Sequence, residues 1–194
     1  MKTNTRAIII DTASSLFYKK GYNLTGINEI IAEAGIAKAT LYHHFKSKED
    51  LLMAYLDQLD TEASKKLSDF TSKKPKGDAR LIAIIEFLLP FFHQKDFNGC
   101  WSIRTMAEIP TDNIQVRQKI LNNKKNLQQS INDLIAQNRG DLSKESREML
   151  TRKIYLLYEG ALTESHIQMD DWPIHDAIEI LKSLLSSRYA NGMK

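Results

Sequence analysis

Residues 38–48 hold the side chains best suited to chemistry: Lys38, Thr40, Tyr42, His43 and His44, followed by Lys48. A cation, a hydroxyl, a phenol and two imidazoles on one short stretch are groups that bind phosphate oxygens and base edges in a DNA major groove. Leu41 and Phe45, four apart, can anchor a helix to a core and leave the polar groups facing out. Lys38 can donate to guanine acceptors, the Ala39 methyl group can pack on a thymine methyl, and His44 donates from either ring nitrogen once protonated. For Tyr42 a second reading stays open, with its ring packed on its own helix and the hydroxyl on a phosphate. No metal-ligand cluster, glycine-rich phosphate loop or nucleophile–base pair has recognisable spacing, which argues against an enzyme and gives no reason to expect a cofactor or metal.

These residues need a platform, and residues 25–36 read as its other half. Ile27, Ile30 and Ile31 mark one buried face of a short helix that Thr25 can cap. Gly35 sits where that helix must end, at a position that usually needs positive φ. A first helix over 4–20 places Ala7, Ile10, Ala13, Leu16 and Phe17 on one side and ends at Lys19-Lys20-Gly21. Three helices in about 45 residues, the last two at a sharp angle, make a helix-turn-helix domain. Ser47 and Asp50 resemble a capping box opening a long connector helix over 48–70.

The rest of the 194-residue chain reads as all-α, about nine helices in total. A hydrophobic content of 42% supports a core, and only eight glycines and four prolines interrupt it. No apolar run reaches the roughly 20 residues needed to cross a bilayer. The start lacks a signal-peptide core, and the lone Cys100 cannot form an internal disulfide, so a reducing cytoplasm is expected. Net charge is +3, and residues 1–48 hold seven Lys/Arg against three Asp/Glu. The positive excess therefore lies where a polyanion would bind. Lys73–Asp78 marks a boundary, giving a helix-turn-helix domain over 1–48 and a second domain over 71–194. In the latter, 79–94 is apolar almost all round, with Pro90 expected to kink or end it. Further helices are expected at 101–109, 112–138, 144–168 and from about Pro173, with Ala190–Lys194 fraying at the end. Gly160 inside a helix suggests close approach of another backbone.

From Gly35 to Leu51, through Lys38-Ala39-Thr40-Leu41-Tyr42-His43-His44-Phe45-Lys46-Ser47-Lys48-Glu49-Asp50, the sequence resembles the TetR family of bacterial transcriptional regulators. Ile36 and Ala37 are conservative departures from the family pattern. Ala13, Phe17, Gly21, Thr25, Ile30 and Ala34 also fall where the family places them, so the resemblance covers residues 5–53. It implies a homodimer of Ω-like all-helical subunits that read a palindromic operator, repression being the usual mode. By position it assigns Thr25, Lys48 and His44 to phosphates, and Lys38, Ala39, Tyr42 and His43, beside Thr40, to bases or backbone. Asn98-Gly99-Cys100-Trp101 is similar to an element found in one branch of the family.

For a small, largely apolar effector, the aromatic and sulfur residues Phe87, Phe91, Cys100, Trp101, Met106, Tyr155 and Tyr158 are candidates for a cavity near Pro90. Phe92 and Met169 belong to the same inventory, and Glu159, Glu164 and His166 could supply polar groups. Taken singly, each of these residues reads first as filled core; the cavity is a reading of the group. The dimer interface is expected from Leu157, Leu162, Ile178, Leu181 and Leu185 on the last two helices. Beside this ligand-gated repressor stand two other readings: a DNA-binding regulator with no small-molecule gate, sensing oxidants at Cys100 or binding constitutively, and an enzyme in the large domain.

Overall fold

The computed structural model describes residues 4–190, with side chains as far as Ser186. Among these residues there are ten helices and no strand: α1 (Thr5–Lys20), α2 (Ile27–Glu33), α3 (Lys38–His44), α4 (Lys48–Ser72), α5 (Asp78–Glu86), α6 (Leu88–Phe92), α7 (Trp101–Glu108), α8 (Ile114–Asn138), α9 (Lys144–Gln168) and α10 (Trp172–Ala190). The tail 191–194, expected to fray, lies outside the described residues. The chain forms two compact units. One runs up to Glu62 and includes Cys100–Asn123; the other comprises Ala63–Gly99 and the chain from Lys124 onward. Residues 100–123, expected in the second domain, thus fold with the N-terminal one.

The reason is apolar burial. Ile109, Val116 and Ile120 join Ile9, Phe17, Ile30, Leu41, Phe45 and Leu52 in one core, and Trp101 and Met106 pack against it. Polar links follow the same line, from Asn113 Nδ2 to Glu49 Oε2 at 2.7 Å and from Asn123 Nδ2 to the Leu56 carbonyl at 2.9 Å. Lys119 pairs with Asp57. Within this unit α1 begins under Asn4, whose side chain accepts from the Ala7 N–H, and ends at Gly21 with φ +95°.

In the second unit α10 packs on α9 and α5, and α9 on α5 and α6. Leu81, Ile84, Ile85, Leu88, Ile154 and Leu181 are buried there. The helix expected over 79–94 is broken at Phe87, a turn before Pro90. Proline has no N–H for the carbonyl four residues back and its ring crowds that carbonyl, so α5 stops at Glu86. Pro90 then sits in the first turn of α6, where no helical donor is needed. Arg139, almost fully buried, donates to Asp78 at 3.0 Å and Asp141 at 3.1 Å, and the Gly77 N–H donates to Asn138 Oδ1 at 2.9 Å. Together they fasten the turn before α5 to the end of α8. Arg139 holds the Asp141 carboxyl below its ordinary value, chiefly by hydrogen bonding.

Candidate DNA-binding interface

Turn chemistry sets the position of α3. At the end of α2 the Ile36 N–H donates to the Ile31 carbonyl and the Gly35 N–H to the Ala32 carbonyl, both at 3.2 Å. That pair of bonds, with Gly35 at φ +63°, closes the helix with a left-handed glycine as expected. Leu41 and Phe45 are buried and hold α3 to the core. Lys38, Ala39, Tyr42 and His43 are exposed, Tyr42 by 44%, while Thr40 and His44 are half-buried. The His43 and His44 rings meet edge to face at 5.1 Å.

Thr25 departs from expectation. It is fully buried, and its hydroxyl donates to the Gly21 carbonyl at 2.7 Å. The N-cap of α2 is Gly26, which supplies no side-chain hydrogen bond. The hydroxyl therefore closes the α1–α2 turn and has no accessible face for a phosphate.

Lys48 opens α4. Its ammonium lies 4.2 Å from the centre of the Tyr22 ring, a cation–π contact that fixes where the charge sits. Burial pushes its pKa down, and the Glu108 carboxylate pushes back up. Ser47 Oγ accepts from the Asp50 N–H at 3.0 Å, as a capping box requires. Asp50 Oδ2 returns to the Lys46 N–H at 2.9 Å, one residue before the cap. Tyr22 is not among the residues that the sequence marks for DNA contact. Its role depends on a pairing across 26 positions that no local pattern encodes.

The effector candidates do not stay together. Cys100, Trp101 and Met106 belong to the N-terminal unit. Trp101 and Met106 pack on its core, and the Cys100 Sγ lies buried 3.0 Å from Ser102 Oγ. Met169 is 86% exposed in a left-handed helix cap. In the second unit Phe87 meets Phe70 at 5.7 Å. Phe91 and Phe92 both meet Phe97, which also contacts His166 at 5.8 Å. His166 crosses over Gly99, where a Cβ would fall 2.7 Å from its ring. Tyr158 is buried and Tyr155 half-buried. Glu159 is bound to Lys124 at 2.6 Å.

The stripe expected at the dimer interface is largely buried within the chain itself. Leu162, Ile178, Leu181 and Leu185 are buried within the chain and Leu157 is half-buried. Those residues fill the packing of α9, α10 and α5. Apolar side chains left outside include Leu156, Ile167 and Ile180, exposed by half or more. A Cβ at Gly160 would meet nothing within 4 Å, so among the described residues no other backbone approaches it. Among the described residues no group of three or more His, Cys, Asp or Glu could hold a metal, and no helix is long and apolar enough to cross a membrane.

Residues 9–55 match the family described as bacterial regulatory proteins, tetR family. The chain is 29% identical over 186 residues to the Transposon Tn10 TetC protein of Escherichia coli, covering 94% of this chain and 75% of that one. It is 27% identical over 112 residues to the Fatty acid metabolism regulator protein of Bacillus subtilis (strain 168), covering 58% of this chain and 56% of that one. The chain spans little more than half the length, or less, of several curated relatives it matches. A crystal structure of a TetR-family transcriptional regulator from Streptomyces coelicolor superposes with a TM-score of 0.83 at 26% identity, covering 96% of this chain and 91% of that one. A helix-turn-helix matched over residues 9–55, and a helical fold shared along nearly the whole length, make this chain similar to the TetR family of bacterial transcriptional regulators.

Proposed function

We propose that this chain is a homodimeric repressor that binds a palindromic operator through α3 and leaves it when a small, largely apolar molecule occupies the second unit. The observation that carries the DNA-binding part is the outward face of α3. Lys38, Ala39, Tyr42 and His43 are exposed on a helix whose other side is anchored by Leu41 and Phe45, and Lys48 is held on a ring nearby. Lys38, Ala39, Tyr42 and His43 read base edges or backbone, and His44, Thr40 and Lys48 lie toward phosphates. Two copies related by a two-fold axis present two such helices, which makes the operator a palindrome.

The dimer forms through the outer face of α9 and α10. Leu156, Gly160 and Ile167 recur at helical spacing on α9, and Ile180 is exposed on α10. The bare Gly160 backbone lets a partner helix approach closely, which offsets the roughly 1 kcal/mol that a mid-helix glycine costs. The effector meets the second unit alone, among Phe87, Phe91, Tyr155, Tyr158, Glu159 and His166. The ring cluster on Phe97 supports an apolar ligand, and the Lys124–Glu159 pair supplies a polar end. Effector and operator are coupled by differential affinity for two arrangements of the dimer, on the order of 1–3 kcal/mol.

The test is selection of duplexes from a randomised library, followed by gel shift. The unaltered protein selects a two-fold symmetric sequence. Combined Tyr42→Ala and Lys48→Ala weakens binding by roughly a hundredfold. Equal affinity for selected and bulk DNA, or undiminished binding by the double variant, refutes the reading.

A further inference from the structure

Four hydrogen bonds tie α7 to the turn that leads into the helix-turn-helix. Arg104 Nη1 donates to the Tyr18 carbonyl at 2.8 Å and Nη2 to the Lys19 carbonyl at 3.4 Å. Both carbonyls belong to the last turn of α1. One turn further along α7, Glu108 Oε2 accepts from the Asn23 N–H at 2.7 Å, and the Glu108 carbonyl accepts from Asn23 Nδ2 at 2.8 Å. Gly21 passes beneath the same carboxylate, so closely that a Cβ there would fall on it. Arg104 Nε and Glu108 Oε1, 3.4 Å apart, brace each other along α7.

The turn held in this way carries two parts of the DNA-binding surface. Tyr22 lies between Gly21 and Asn23, and its ring seats the Lys48 ammonium. Thr25, bonded back to Gly21, leads directly into α2. A displaced turn therefore moves Lys48 and the start of the helix-turn-helix together. Groups that recognise a ligand lose much of their value when their support is loose by about 1 Å.

We propose that Arg104 and Glu108 form a latch that positions the helix-turn-helix, making both of them positioning residues for operator binding although neither lies on α3. The proposal rests on the DNA-binding reading above. It also predicts something that charge alone does not. Losing a cation near DNA weakens binding and losing a carboxylate strengthens it, whereas losing either half of a latch weakens it.

The experiment compares Arg104→Ala, Glu108→Ala, their combination and Glu108→Gln in the full-length protein, by fluorescence anisotropy on the duplex selected by the unaltered protein, with thermal melting alongside. Each alanine variant binds about tenfold more weakly. The double variant stays within about threefold of the singles, because both act on one arrangement. Glu108→Gln remains within about threefold of the unaltered protein, since its amide oxygen still accepts from Asn23. Tighter binding by Glu108→Ala, or unchanged binding by both alanine variants, overturns the latch. So does equal weakening by Glu108→Ala and Glu108→Gln that tracks a lowered melting temperature. If the unaltered protein selects no duplex, the DNA-binding reading falls with it.

Discussion

Helices α3 and α9 solve opposite problems. The seven-residue α3 is held by two inward side chains, Leu41 and Phe45, and most of the rest is open to a partner. Nothing within so short a helix makes it stable alone, so it depends on the Gly35 turn behind it and the Ser47 cap ahead. The 25-residue α9 has apolar groups on two sides. Ile154, Ala161 and Leu162 face the chain's own core, while Leu156 and Ile167 face out. A short helix with one apolar side has its exposed face assigned by elimination. A long helix with two can bury either one in its own chain and keep the other for a second copy.

Leu181 and Leu156 provide the sharpest way to break this comparison. Leu181→Ala, at a fully buried position, should cost about 3 kcal/mol and lower the thermal midpoint while the protein still sediments as a dimer. Leu156→Asp, at a position 68% exposed, should yield monomers whose helicity is unchanged. Swapped outcomes in analytical ultracentrifugation would restore the inner stripe as the interface.

Thr25→Val should cost about 1 kcal/mol by orphaning the Gly21 carbonyl. A neutral hydroxyl resting on a phosphate would instead leave stability unchanged and weaken DNA binding, so thermal melting decides between turn closure and DNA contact. At the end of α2, Gly35→Ala should destabilise the protein by about 1 kcal/mol, read by denaturant unfolding. A Cβ has open space there, so the cost is that of positive φ alone.

The smallest effect belongs to the second unit. Asp141 is held below its ordinary pKa, so its contribution is complete above the unfolded-chain value, about 3.9, and is lost as pH falls through the lower native value. Asp141→Asn should therefore melt slightly earlier than the unaltered protein at pH 5–7, and the gap should close in strong acid. A gap that widens in acid would contradict the Arg139 pairing.

Much of the N-terminal unit was legible because its signals are local. Gly35 lies at the turn, Ser47 three residues before Asp50, and Leu41 four before Phe45. What escaped is what reaches across the chain. Thr25 reads as a cap from its neighbours, and only the fold shows its hydroxyl turned back to Gly21. Residues 100–123 read as part of the second domain from their position in sequence, and only the burial of Ile109, Val116 and Ile120 moves them. In α9 and α10, periodicity identified buried-type residues correctly but carried no information about whose core they fill. Leu156 and Leu157 are neighbours in sequence, yet one is exposed and the other half-buried.

The ring beneath Lys48 has one more consequence. A lysine on an open surface samples many rotamers and must surrender them when it grips an anion, a loss that can approach 2 kcal/mol. Seated on Tyr22, this side chain has given up part of that freedom during folding. In the proposed operator complex its contact with the duplex then costs less entropy, and the affinity of that site is set in part before any DNA arrives.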